Sequence, residues 1–380
     1  MRKILLLLVL SATSLSAAVD GAAIAQLRAA GQAGVDRLVA MHDRGEIDEQ
    51  SYRAALDRVC RQRDCAWSHL YWYTDLDAAM AAARAQHRPI LSLRLLGDLG
   101  EELSCANSRF FRTILYSNRE ISEYLRANFI LHWSSERPVP KVTIDFGDGR
   151  VMQRTLTGNS IHYLLDENGR PLDALPGLYS PAAFLSALRE MHTLATVNLS
   201  AADVARYHST RLQSARVDKH TARLVTPSTA WDARTLFAVS KGGVELPLLN
   251  KVSFGTRRVI TSAKLPDDPA NLGAIDESST SLIRELRESS PIASMKDGGD
   301  FARTIARLEQ SIALDTITNE FELRPKIHEW FVNHVDANFA ELNAFVYKDV
   351  FLTPAEDRWL GLLPEDTFTA LRAEGLAVSH

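Results

Sequence analysis

Apolar residues recur at helical spacing over the first part of the chain. Ile24, Leu27, Leu38 and Met41 make one stripe and Tyr52, Ala55, Leu56 and Val59 another, with a break at Arg44-Gly45-Glu46. The pattern predicts a helical pair over residues 19–66. The period then changes. Leu70 to Tyr73 reads as a short strand, and Thr74-Asp75 caps an alanine-rich helix that runs to Gln86. Pro89 to Leu95 has the near-continuous apolar character of a strand covered on both faces. Ser108 to Asn128 is helical, with a fresh cap at Ser117-Asn118, and Phe129 to Trp133 is the next strand. Two hairpins follow. Val142 to Phe146 and Val151 to Leu156 flank Gly147-Asp148-Gly149, and Ile161 to Leu165 and Leu172 to Leu175 flank Asn168-Gly169. Ser180-Pro181 opens a closing helix, with proline in the favoured first turn.

Strands and helices thus alternate over residues 67–196, which predicts an α/β domain with an inserted β-hairpin. Residues 197–380 lack a run of strands. Helical patterns stand at Ala201–Leu212, Thr229–Val239, Ser279–Arg287, Phe301–Thr318 and Lys326–Phe351, with loops over 266–274 and 289–300. A mainly α-helical C-terminal domain is expected there.

The N-terminus sets the expected compartment. Arg2 and Lys3 precede an apolar run from Ile4 to Leu10, and Ser16-Ala17-Ala18 offers a small-residue cleavage site. Residues 1–18 therefore read as a secretory signal. The run is too short to span a bilayer, which takes about 20 residues. The mature protein is expected to be exported, periplasmic or extracellular, with no transmembrane segment after signal removal. With 46% apolar residues, 24% charged residues and a net charge of −4, the chain can bury a core and gives no electrostatic argument for nucleic acid.

Export changes how the three cysteines are read, because disulfides persist in oxidising compartments. The simplest assignment joins Cys60 to Cys65 and leaves Cys105 free. The rival ties Cys105 to one of the other two and removes any chemistry there.

Cys105-Ala106-Asn107-Ser108 stands as C-x-x-S, a C-x-x-C redox signature with serine in the second place. The helix after it carries Asn118-Arg119-Glu120-Ile121, Leu125 and Phe129-Ile130. His87-Arg88-Pro89-Ile90-Leu91 leads into the strand before it, and Leu164 to Pro171 makes a strand–turn–strand. In their order and spacing these pieces resemble the thioredoxin-like superfamily, over about a third of the chain. The resemblance implies an α/β thioredoxin-like domain, preceded by the helical pair and followed by the helical domain. It puts Cys105 at the nucleophilic position and Ser108 at the resolving one. It also puts Ser160 where the family carries a cis-proline beside the motif, and there serine takes a trans bond.

A cysteine at a helix N-terminus gains thiolate character from the unpaired N–H groups around it. Thiolate attack on a disulfide gives a mixed disulfide, which a second cysteine normally releases. Ser108 cannot do that, so turnover here needs an outside thiol. Asp98, Glu101 and Glu102 oppose the thiolate if they fold near the sulfur. Two functions are therefore expected as alternatives. One is thiol–disulfide exchange through Cys105 on exported protein thiols or disulfides. In it Ser108 donates to the thiolate, and Ser160 and Trp133 contact substrate. The other is a redox-inactive binding or scaffolding module that holds a protein partner.

No cofactor is implied. His328-Glu329 and His334 superficially suggest a zinc helix, but the histidines are six residues apart and do not share a face. No metal site is expected. His334 with Ile327, Trp330, Phe331, Leu342, Phe345 and Val346 reads instead as a core-facing stripe.

Overall fold

The sheet is mixed. Ile90–Leu96 (β1) lies parallel to Ile130–Arg137 (β2) and antiparallel to Ile161–Leu165 (β5), which pairs antiparallel with Pro171–Pro176 (β6), in the order β2-β1-β5-β6. Between β2 and β5 the expected hairpin projects as a separate ribbon of Lys141–Asp145 (β3) and Val151–Thr155 (β4). The computed structural model describes residues 19–156, 158–197, 199–219, 223–224, 260–261, 272–289, 301–336 and 338–359. The proposed signal at 1–18, the helix expected over Thr229–Val239, and nearly all of both expected C-terminal loops lie outside those residues.

Alternation along β5 explains why both sheet faces are apolar. His162 meets the rings of Phe111 and Phe184, while its neighbour Tyr163 makes an edge contact with Phe339 on the other side. The first layer comprises Ala106–Phe110 (α5), the π-helical turn Phe111–Leu115 that continues it, and Pro181–Ala195 (α7). Leu76–Gln86 (α4) packs on β1 and β2. The expected caps are used. Asp75 accepts from Ala78 N, Asn118 from Ile121 N at the start of Arg119–Asn128 (α6), and Ser180 from Ala183 N ahead of Pro181. The segment Leu70–Tyr73 pairs less than expected: its one bridge joins Tyr73 to His132. The Trp72 N–H instead donates to Cys60 O, which binds this segment to the N-terminal helices.

The N-terminal pair is three helices, Gly21–Ala29 (α1), Gln32–Asp43 (α2) and Glu49–Cys60 (α3). The unforeseen break falls at Gly31, whose φ of 63° is open to glycine at little cost. Three residues on, a Cβ at Gly34 would stand 1.9 Å from Leu27 O, so only glycine lets α1 and α2 approach this closely. These helices have a core of their own, with Val35, Leu38, Leu56 and Val59 fully buried around the Cys60–Cys65 disulfide.

Ala201–Lys219 (α8), Glu277–Glu288 (α9), Phe301–Thr318 (α10), Arg324–Asn333 (α11) and Phe339–Phe345 (α12) make up the described C-terminal helices. A two-residue ladder, Arg223–Leu224 with Ile260–Thr261, accompanies them. The continuous helix expected over Lys326–Phe351 is broken. Asn338 opens α12 with a capping box to Glu341, which ends α11 before it. His334 lies at that break and is exposed, stacked on Trp330 with its Nδ1 at Trp330 O; the interior histidine of this region is His328. Among the described residues no helix is long and apolar enough to cross a membrane.

Candidate functional site

Cys105 is the N-cap of α5, with extended backbone and its N–H donated to Leu96 O at the end of β1. Its sulfur is fully buried and free of any disulfide. The Ser160 hydroxyl, on the residue just before β5, lies 3.1 Å from it, and either group can donate. Ser160 is held by Gly177 N–H at its carbonyl, and its peptide bonds are trans, as expected for a non-proline residue. The structure thus brings Cys105 and Ser160 together.

Ser108 is close in sequence but turned elsewhere. Its hydroxyl donates to the Cys105 carbonyl at 2.8 Å, closing the first turn of α5, so the donation to the sulfur that the sequence suggested is absent. Trp133 is engaged within the fold. Its ring is buried and its indole N–H donates to Arg61 O at 2.8 Å, fastening the sheet to the end of α3. Cys60 and Cys65 form a disulfide from the C-terminal end of α3 to the following short 3₁₀ turn, while the Cys65 N–H donates to Asp57.

The acidic loop points its charges outward. Gly97 enters it at φ 84°, against Val139. Buried Arg112 donates to Leu99 O and Glu101 O, and burial pushes its guanidinium down to about 10 with Asp64 partly opposing. Glu102 pairs with Arg63 and Glu101 with Lys141, both at exposed positions, and Asp98 accepts from Gly100 N. Each of these carboxylates thus has a partner of its own.

Residues after α12 are tied to the neighbourhood of the cysteine motif. Val346–Val350, a π-helical turn, continues α12 and brings Tyr347 into the buried cluster that also holds Cys105. Burial foremost, then Glu136, Tyr163 and Cys105, hold the Tyr347 phenol well above its usual range, and its hydroxyl has no hydrogen-bond partner among the described residues. Asn159 donates to Thr353 Oγ1 at 3.0 Å, and Arg137 donates to Asp357 O and Pro354 O. A polar relay joins the sheet to α12. Arg94 pairs with Glu136, Glu136 accepts from Asn343, and Asn343 accepts from the Tyr163 hydroxyl.

No family model matches the chain, and no curated protein matches it either. A free thiol without a resolving cysteine can form one mixed disulfide, but only when exposed to a partner sulfur. Fully buried free cysteine behaves as a small apolar residue. The sequence reading passed over a second cluster, Asp173, His208 and His328, which are buried with donor atoms all within 4.8 Å of one another. They stand on β6, α8 and α11, so no spacing motif could have joined them.

Proposed function

We propose that this chain is an exported thioredoxin-like protein that works as a redox-inactive binding or scaffolding module. The observation that carries the second half of this reading is the full burial of Cys105, next to Ser160 and near a C-terminal segment tied down at Asn159–Thr353. The fold half is supported by the strand order β2-β1-β5-β6, by a cysteine capping the helix after β1, and by Ser160 facing that cysteine from the start of β5. Export is supported by the basic and apolar N-terminus with its small-residue cleavage site, and by a disulfide as the state of Cys60 and Cys65.

Thiol exchange needs the sulfur to reach a disulfide in line, and the burial of Cys105 argues against it. The test is mixed-disulfide formation with glutathione disulfide on the non-reduced mature protein, read by intact mass. Attack by the Cys105 thiolate would form one protein–glutathione disulfide and release one glutathione thiolate. The native protein is expected to remain unmodified and to react once unfolded. Prompt modification of the native protein would instead support exchange through Cys105.

A further inference from the structure

Leu172 and Asp173 on β6, His208 on α8 and His328 on α11 meet where the C-terminal helices cross the edge of the sheet. The two Nδ1 atoms of the histidines are 2.8 Å apart, and His208 Nε2 is 2.9 Å from Leu172 O. A carbonyl only accepts, so His208 carries its proton on Nε2 and turns the Nδ1 lone pair toward His328. Histidines that bind metals are oriented in this way, by giving the other ring N–H to a carbonyl or carboxylate. Asp173 is oriented as well. Its Oδ2 accepts from Arg324 and from the Tyr207 hydroxyl, and its Oδ1 from Ala174 N.

We propose that His208, His328 and Asp173 form a binding site for a transition-metal dication of the zinc class. Two imidazoles and one carboxylate are the donor set such ions take in three-ligand sites. Charge favours the assignment despite Arg324. The connected ion pairs set three carboxylates, Asp173, Glu320 and Glu190, against two guanidiniums, Arg324 and Arg211, so the network carries a formal charge of about −1 before an ion enters. Two nitrogens on one tetrahedral zinc at about 2.0–2.1 Å stand roughly 3.3 Å apart. The imidazoles must therefore spread by about half an ångström and give up their mutual hydrogen bond, and His328, whose Nδ1 proton makes that bond, must lose it and hold its proton on Nε2 before that nitrogen can bind the metal. The ring of Phe331 stacks on His208 at 4.0 Å and separates it from a small cleft lined also by Arg170, Pro171 and Val204.

The test uses the full mature chain, stripped with chelator and titrated with zinc sulfate and, separately, with cobalt chloride. One equivalent of zinc is expected to survive gel filtration, and cobalt should give the intense visible bands of a low-coordinate site. His208→Ala and His328→Ala should each abolish both signals, whereas His42→Ala, at the half-exposed His42–Glu49 pair, should leave them intact. Tyr207→Phe removes only the hydrogen bond to Asp173 and should weaken zinc by about 10-fold. Should the histidine variants fail to fold, zinc K-edge absorption on the unaltered protein decides the matter, with two imidazoles in the first shell expected. Absence of a bound equivalent, a shell without imidazole, or zinc retained by a folded double histidine variant would overturn the site.

Discussion

The side chain of Asn159 donates to Thr353 Oγ1 at 3.0 Å across 194 residues of sequence, and both residues are buried. Asn159 precedes Ser160, the residue whose hydroxyl faces the Cys105 sulfur. The C-terminal segment is thus tied to the neighbourhood of the cysteine motif. A net contribution of about 1 kcal/mol is expected for one such hydrogen bond, with more lost when a buried partner is left unpaired. The attachment consequently rests on several contacts together, with Arg137 and the Arg94–Glu136–Asn343–Tyr163 relay sharing the load.

Low pH should unfold the protein through buried neutral histidines. Burial pushes His162 down to about 3 and, with Arg94 adding to it, His132 to about 4, against an ordinary 6.5. The unfolded chain then binds more protons than the native one below 6.5. Stability is therefore full above that pH and is lost as pH falls through 4 and toward 3. The expected slope is about 1.4 kcal/mol per pH unit for each histidine. Urea midpoints between pH 7 and 4 measure it, and His132→Asn should flatten the fall.

Arg324 should be among the costliest side chains to remove. It is buried, pairs with Asp173 at 3.0 Å, and reaches Glu320 with its other terminal nitrogen. Burial alone would raise the Asp173 carboxyl, yet Arg324, His208 and His328 hold it at about 2. Arg324→Met leaves that carboxylate uncompensated, so a loss of about 3–5 kcal/mol is expected from urea unfolding. A loss below 1 kcal/mol would mean that the pair is not formed.

Gly34→Ala should destabilise the N-terminal helices. The new Cβ meets the Leu27 carbonyl, a backbone atom that cannot turn aside. Overpacking of this kind costs about 1–3 kcal/mol. Differential scanning calorimetry reads it as a lower melting temperature, and an unchanged transition would contradict the close approach of α1 and α2.

Much of the α/β part was legible because its signals are local. Asn118, Ser180-Pro181 and Gly147-Asp148-Gly149 each carry their own turn or cap chemistry, and the elements begin where those residues stand. The break at Gly31 was missed because apolar spacing continues through it, and only its positive φ reveals the reversal. The same holds for Lys326–Phe351, where the Asn338–Glu341 capping box outweighs an unbroken periodicity. At the site, Cys105 and Ser160 could be paired only through a resemblance. The meeting of Asn159 with Thr353, and of Asp173 with His208 and His328, had no sequence signature, since contacts between distant elements leave no local period.

The measurement that tests the burial of Cys105 most directly is alkylation of the non-reduced mature protein with iodoacetamide across a urea series. Cys60 and Cys65 are bonded to each other, so Cys105 alone reports. Labelling of the native protein should be slow and should rise with urea in parallel with global unfolding by circular dichroism. Asn159→Ala with Arg137→Ala should accelerate it at urea concentrations below the unfolding transition. Native labelling at the rate of the unfolded chain, independent of urea, would contradict the buried thiol and with it the reading of this protein as a redox-inactive module.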